Sequence, residues 1–233
     1  MRTFRSGLAA MIVCFLPLAG AAAAPVDPAD QARIEQDAVK TYIAKTEADQ
    51  QAASDRLITL HARELYSDPG SAVIGNPNGD VTIVEFFDYN CPFSRGVEPR
   101  VQALLKSDPN VKLILKEFTI EPVPTSPVAA RAALASVAQG KYEPYHQLMM
   151  TVTGHPLAAN EMFDDAEKVG LDVARLKTDM EAPVFYNQLI ANFNLARALR
   201  IFQTPTFIIG GHIVTTPSAQ IDFAKLVADA RAK

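Results

Sequence analysis

The stretch Val81–Arg95, V-T-I-V-E-F-F-D-Y-N-C-P-F-S-R, constrains the fold more than any other part of the chain. Val81, Ile83, Val84, Phe86 and Phe87 form an apolar, β-branched and aromatic run that reads as a buried strand, and Asp88-Tyr89-Asn90 breaks it just ahead of Cys91. The strand thus delivers a cysteine to its own C-terminal end. Pro92 suits the first position of a helix, where its missing N–H would have had no partner, so Cys91 falls at the N-cap. Unpaired N–H groups and the positive end of the helix dipole favour a thiolate there. Cysteines so placed have pKa values of about 3.5 to 7.5 instead of about 8.5.

The same local rules place the neighbouring elements. Val73-Ile74 reads as a short strand between the turns Ser67-Asp68-Pro69-Gly70 and Asn76-Pro77-Asn78-Gly79-Asp80. A helix from Pro92 to about Lys106, kinked at Pro99, returns through Asp108-Pro109-Asn110 into a second central strand, Val111–Phe118. Strand, helix and strand with a short return call for a right-handed crossover and a parallel pair. Helical patterns then follow at Ser126–Gln139, Tyr142–Met150, Glu161–Val169, Val173–Met180 and Val184–Leu199, punctuated by Gly140, Gly154-His155-Pro156 and Gly170. Thr206–Ile209 and His212–Thr215 form a hairpin through Gly210-Gly211, and an amphipathic helix over Ser218–Ala230 follows.

At the other end, Arg2 and Arg5, the apolar run Leu8–Gly20 and the small residues Ala21–Ala24 make residues 1–24 a signal peptide, with cleavage expected around Ala22 or Ala23. The run is short, contains Pro17 and falls below the ~20 apolar residues that span a bilayer. Its loss removes Cys14 and takes the formal charge from −4 to −6, which argues against nucleic acid and anionic membrane as partners. Export implies an oxidising compartment, yet Cys91 is then the sole cysteine. A lone cysteine there signals a reactive thiol or an intermolecular disulfide. Residues 25–66 read as an N-terminal helical arm that begins at the cap Asp27-Pro28. Its apolar stripe is thin, and Thr46–Asp55 is either a solvated helix or a flexible join.

The strand, F-F-D-Y-N-C-P-F, the helix, and Thr204-Pro205-Thr206-Phe207 before a later strand together resemble the DsbA-like thioredoxin-fold thiol:disulfide oxidoreductases, in particular the secreted ScsC-like subgroup. One departure stands out: the family's C-x-x-C is here Cys91-Pro92-Phe93-Ser94. The resemblance implies an α+β thioredoxin-like fold over 67–233, with a helical insertion at about 126–182 overhanging the cysteine. It also implies an N-terminal arm that mediates self-association, cysteine-containing secreted proteins as substrates, and a periplasmic or secreted location. It makes Pro205 a cis-proline beside Cys91, with Pro92, Phe93, Thr204 and Pro205 lining a substrate groove, and Glu85 a buried acid that helps proton transfer. By residue pattern alone, Glu85 is equally a solvated edge glutamate. Relatives usually have glycine before the threonine; here it is Gln203.

Cys91 is the expected nucleophile, forming a mixed disulfide with substrate. Ser94, one turn on, is expected to donate a hydrogen bond to the thiolate, but it cannot displace the substrate, so an external thiol or redox partner must do so. A self-contained oxidising disulfide is excluded by composition; monothiol exchange, isomerisation or deglutathionylation remains. Two other classes stay open: a glutathione-dependent transferase or isomerase, and a non-catalytic, chaperone-like polypeptide binder. His61, His146, His155 and His212 lack metal-ligand spacing, and one thiolate alone is a poor copper site. No metal or cofactor is expected. There is no phosphate-binding glycine loop, no G-x-S-x-G elbow and no basic run.

Overall fold

The computed structural model describes residues 27–120, 122–215 and 220–232; the expected signal peptide with Cys14, and Ser218 at the expected start of the last helix, lie outside them. The chain divides into two compact units, residues 1–46 and 47–233. The described part of the first is the opening of helix α1 (Pro28–Leu60). Asp27 Oδ1 accepts from the Ala29 N–H at 2.7 Å, the expected cap. Ile34, Val39, Tyr42 and Ile43 are exposed along it.

Helix α1 runs unbroken through Thr46–Asp55, so the segment is a solvated helix rather than a join. No glycine or proline interrupts it, and Gln51 Nε2 donates to Asp55 Oδ1 at 2.6 Å along its surface. The interruption comes at His61, ahead of α2 (Ala62–Tyr66). In the second unit, Gln51 also bonds the Gly211 carbonyl and His212 Nδ1, tying the helix to the later hairpin.

The sheet has five strands in the order β1-β3-β2-β4-β5: β1 Ala72–Gly75, β2 Val81–Phe87, β3 Val111–Glu117, β4 Thr206–Ile209 and β5 His212–Val214. β2 and β3 pair in parallel, Val81 opposite Val111 through Phe87 opposite Glu117, as the crossover requires. The crossover helix is α3 (Pro92–Ser107), which contains Pro99. β4 runs antiparallel to β2 with Thr206 opposite Phe86, so the segment entering β4 lies at the same end of the sheet as the residues leaving β2. That register brings Thr204-Pro205 to Cys91. Gly210 and Gly211, with φ of +56° and +84°, form the two-residue turn to β5, which ends at Val214, a residue short of expectation.

Between β3 and β4 lie α4 (Thr125–Ser136) with a 3₁₀ turn at Val137–Gln139, α5 (Tyr142–Met150), α6 (Ala159–Lys168), α7 (Val173–Asp179) and α8 (Pro183–Ala198); α9 (Phe223–Arg231) follows β5. Both faces of the sheet are covered. Val81, Ile83 and Phe87 belong to a core that includes Val97 and Val101 of α3, Phe223 and Val227 of α9, and Tyr145 and Met149 of α5. Val84, Phe86 and Ile114 pack with Ile58, Leu65, Leu195 and Leu199. This double cover buries polar strand residues as well. Lys116 is fully buried, its Nζ donating to the Glu64 carbonyl (2.6 Å), Asp68 Oδ2 (3.0 Å) and Ser71 Oγ (2.6 Å). Burial lowers the Lys116 pKa, with Asp68 opposing. All three ammonium donors are used, so the charge is held rather than stranded.

Candidate active site

Cys91 is the N-cap of α3, with φ −76° and ψ 118°, and Pro92 is the first helical residue. The extended backbone of β2 ends at Phe87, and a turn closed by the Cys91 N–H on the Asp88 carbonyl (3.0 Å) feeds the helix. The thiol is only 1% exposed and its Sγ lies 3.3 Å from the Thr204 carbonyl oxygen. The Thr204–Pro205 peptide is cis. Thr204 Oγ1 is buried without a partner among the described residues. Phe93 is 65% exposed in the motif itself, and Phe202, close before Thr204, is 64% exposed.

Ser94 departs from expectation. Its fully buried Oγ accepts from the Asp88 N–H at 3.5 Å, and no bond joins it to Cys91. The serine braces the turn rather than the sulfur, because its hydroxyl is directed to the main chain that closes on Cys91. Helix α4 begins at Thr125, one residue before the expected Ser126, and Ser126 Oγ accepts from Asn90 Nδ2 at 3.0 Å.

Two residues not singled out from the sequence fasten the cysteine turn to the insertion. Arg95, 8% exposed, donates from Nε to the Tyr89 carbonyl (2.6 Å), from one terminal nitrogen to the His155 carbonyl (2.8 Å) and from the other to Asn90 Oδ1 (3.2 Å). Asn90 Oδ1 also accepts the Leu157 N–H at 2.7 Å. Burial lowers the Arg95 pKa, while Asp88, Glu161 and Cys91 act in the opposite direction. An arginine right after the motif was a visible signal, since a guanidinium with its fork of N–H donors can fasten several acceptors at once.

Three acids, on β2, α3 and β3, are buried. Glu85 is 1% exposed, which excludes the solvated edge position, and neither carboxylate oxygen has a partner among the described residues. Burial, and then the charge of Glu98, raise its pKa well above the ordinary value. Glu98 sits on α3. Burial tends to raise its pKa, but the contact and charge of His146 and a hydrogen bond from Gln102 more than offset this, leaving it lowered. His146 Nε2 is 3.5 Å from Glu98 Oε1, and Nδ1 is 2.9 Å from the Tyr89 hydroxyl. Glu117, fully buried, accepts from the Tyr142 hydroxyl at 2.9 Å, and burial pushes its carboxyl up to about 7. Among the described residues, no group of three or more His, Cys, Asp or Glu side chains is arranged to hold a metal ion.

A thiol at the N-cap of the crossover helix, facing a cis-proline turn across a central strand, is the thiol site of a thioredoxin fold. A thioredoxin family profile matches residues 67–229. The chain belongs to that family. A thioredoxin-like oxidoreductase from Silicibacter pomeroyi DSS-3 is 40% identical with a TM-score of 0.67, the match covering 73% of this chain and 98% of that one. The thiol:disulfide interchange protein DsbA of Bordetella parapertussis is 26% identical over 152 residues, 60% of this chain and 68% of DsbA. The catalytic domain of Proteus mirabilis ScsC shares the fold, with a TM-score of 0.67 at 23% identity over 77% of this chain and 99% of that one. The chain also matches the Na(+)/H(+) antiporter NhaA 1 of Salinispora arenicola at 29% identity over 140 residues, 60% of this chain, but it spans only 21% of that protein's length. No helix among the described residues is long and apolar enough to cross a membrane.

Proposed function

We propose that the protein is a secreted, periplasmic thiol-disulfide exchange protein that acts on cysteine-containing polypeptides through Cys91 alone. The carrying observation is the placement of Cys91 at the α3 N-cap, 3.3 Å from the carbonyl that precedes cis-Pro205. The Cys91 thiolate attacks one sulfur of a substrate disulfide, a Cys91–substrate disulfide forms, and the second substrate sulfur leaves as thiolate. Release needs a second thiol. An external thiol reduces the substrate; the substrate's own free thiol isomerises it. Glu85, protonated in its buried seat, supplies a proton to the Cys91 sulfur as that sulfur is expelled. Phe93, Thr204 and Pro205, with Pro92 fixing the turn, form the face offered to an extended substrate.

The test is refolding of a scrambled-disulfide protein with a small reduced thiol present, alongside the pH dependence of Cys91 alkylation. Acceleration that Cys91→Ser abolishes is expected. Equal acceleration by Cys91→Ser refutes the reading. The 1% exposure of Cys91 beside the exposed Phe93 and Phe202 favours a second reading, a polypeptide binder without exchange. Peptide binding that survives Cys91→Ser, with no exchange by the parent chain, would establish it.

Self-association through the arm belongs to the same proposal. Its support is Ile34, Val39, Tyr42 and Ile43, all about half or more exposed on α1. Sedimentation of the processed chain should show an oligomer at micromolar concentration that Tyr42→Glu dissociates; a parent monomer defeats the idea.

A further inference from the structure

Asn90 immediately precedes the nucleophile, and its side-chain amide is saturated with hydrogen bonds. Nδ2 carries two hydrogens and donates to Thr125 Oγ1 at 3.2 Å and to Ser126 Oγ at 3.0 Å. Oδ1 carries two lone pairs and accepts from the Leu157 N–H at 2.7 Å and from an Arg95 terminal nitrogen at 3.2 Å. The last two partners can only donate, which fixes the direction of the amide. Asn90 is 8% exposed, so water competes little for these four bonds.

The four partners come from three segments. Arg95 belongs to the first turn of α3, Thr125 and Ser126 open α4, and Leu157 lies just ahead of α6. One amide therefore holds the start of α4 and the approach to α6 against the turn that carries Cys91. The main chain is held as well: the Asn90 N–H donates to Asp88 Oδ1 at 2.8 Å and the Cys91 N–H to the Asp88 carbonyl at 3.0 Å, which fixes the peptide units on both sides of Asn90. Those two bonds close the turn; the side-chain bonds decide how it is seated against the insertion. Other side chains do this less well. Alanine reaches none of the four partners, and glutamine carries its amide one methylene too far. Aspartate keeps both acceptor contacts, and because a hydroxyl donates as well as accepts, it can take Thr125 and Ser126 as donors.

We propose that Asn90 is a positioning residue for exchange at Cys91: its amide seats the cysteine turn against α4 and the segment before α6, so that Sγ meets a polypeptide disulfide lying along the cis-Pro205 turn. It acts through the main chain, one peptide bond from the nucleophile. Sγ is 3.3 Å from the Thr204 carbonyl, and Thr204 enters from β4, on the far side of the insertion in sequence. The two halves of the site are thus brought into line by the sheet and, on the Cys91 side, by this amide. A misplacement of about 1 Å can slow a reaction that needs such alignment by about 100-fold, whereas a small reagent that approaches freely is little affected. This role rests on the exchange reaction proposed above.

The test compares two reactions of Cys91 in the full chain. One is single-turnover exchange with an unstructured peptide whose cysteine is disulfide-linked to a chromophoric thiol, which leaves as thiolate when Cys91 attacks the peptide sulfur. The other is alkylation by iodoacetamide, which needs no docking. Both are followed across pH and compared on the plateau where the thiol is ionised, so that a shifted titration does not enter. Asn90→Ala should slow peptide exchange by about ten-fold or more and leave plateau alkylation within about two-fold of the parent. Asn90→Asp should recover most of the exchange rate. A general loss of stability would not separate the two reactions in this way. If Asn90→Ala does not fold, Ser126→Ala, which removes one acceptor and suits a helix, should slow peptide exchange several-fold with the same selectivity. Peptide exchange at the parental rate in the folded variant, alkylation that falls together with exchange, or an Asn90→Asp chain as slow as Asn90→Ala overturns the role. A parent chain that is alkylated but does not exchange refutes the exchange reaction itself and this role with it; a parent that exchanges at a rate Asn90→Ala matches refutes this role alone.

Discussion

Glu117 gives the chain a pH-dependent stability that one substitution should remove. Its carboxyl is fully buried, accepts from Tyr142 at one oxygen, and has no partner among the described residues at the other. Burial lifts it from 4.5 to about 7 in the folded state. A folded value above the unfolded one means the native chain holds the proton more tightly. The stabilisation is then complete below about 4.5 and is lost as pH rises through about 7. At about 1.36 kcal/mol per unit, the gap corresponds to roughly 3 kcal/mol. Glu117→Gln mimics the protonated carboxyl, keeps an acceptor for Tyr142, and does not ionise. Urea denaturation of both proteins between about pH 4 and 9, at constant m, isolates this group because the remaining titrations are common to the two curves. The variant should gain about 3 kcal/mol relative to the parent across the interval, most steeply at about 1.4 kcal/mol per pH unit. Parallel curves would refute the reasoning: the proton would then not be on Glu117 in the native state.

Lys116→Ala should cost about 3–5 kcal/mol in the same assay, since it removes a fully buried ammonium whose three donors pin Glu64, Asp68 and Ser71; a loss under about 1 kcal/mol would show those groups re-solvate freely. Ser94→Cys restores the second thiol, so a Cys91–substrate disulfide that persists in the parent chain without added thiol should clear within the mixing time of a mass-spectrometric assay. Its persistence would show that the side chain stays turned to the Asp88 N–H. Arg95→Met removes the guanidinium links to the Tyr89 and His155 carbonyls, and limited proteolysis within residues 151–157 should accelerate at least several-fold. An unchanged cleavage rate would assign the tie to the Asn90–Leu157 contact alone.

The parts of this fold that were legible in the sequence are those decided by neighbours along the chain. Pro92 fixes where α3 starts and hence makes Cys91 its cap; Gly210-Gly211 supplies the two positive φ values the hairpin needs; helix α5 falls on Tyr142–Met150, as its spacing and Gly140 require. Placing Thr204-Pro205 beside Cys91 needed the family resemblance, because the antiparallel register of β4 on β2 is a tertiary fact. The remainder turned on which face of an element is covered. Alternation along β3 would put Lys116 at the surface if the sheet had an open face, and α2 and α8 close that face. Glu85 was undecidable for the same reason, and the core that includes α3 and α9 settles it as buried. Ser94 was misread at a finer level, the choice of side-chain direction between two groups within its reach. His146 is far in sequence from Tyr89 and Glu98 and unremarkable alone; only the packing of α5 against α3 brings it to them. A site of this kind therefore has two parts with different legibility: a nucleophile that local rules announce, and a set of buried acids whose burial is decided by helices distant in sequence.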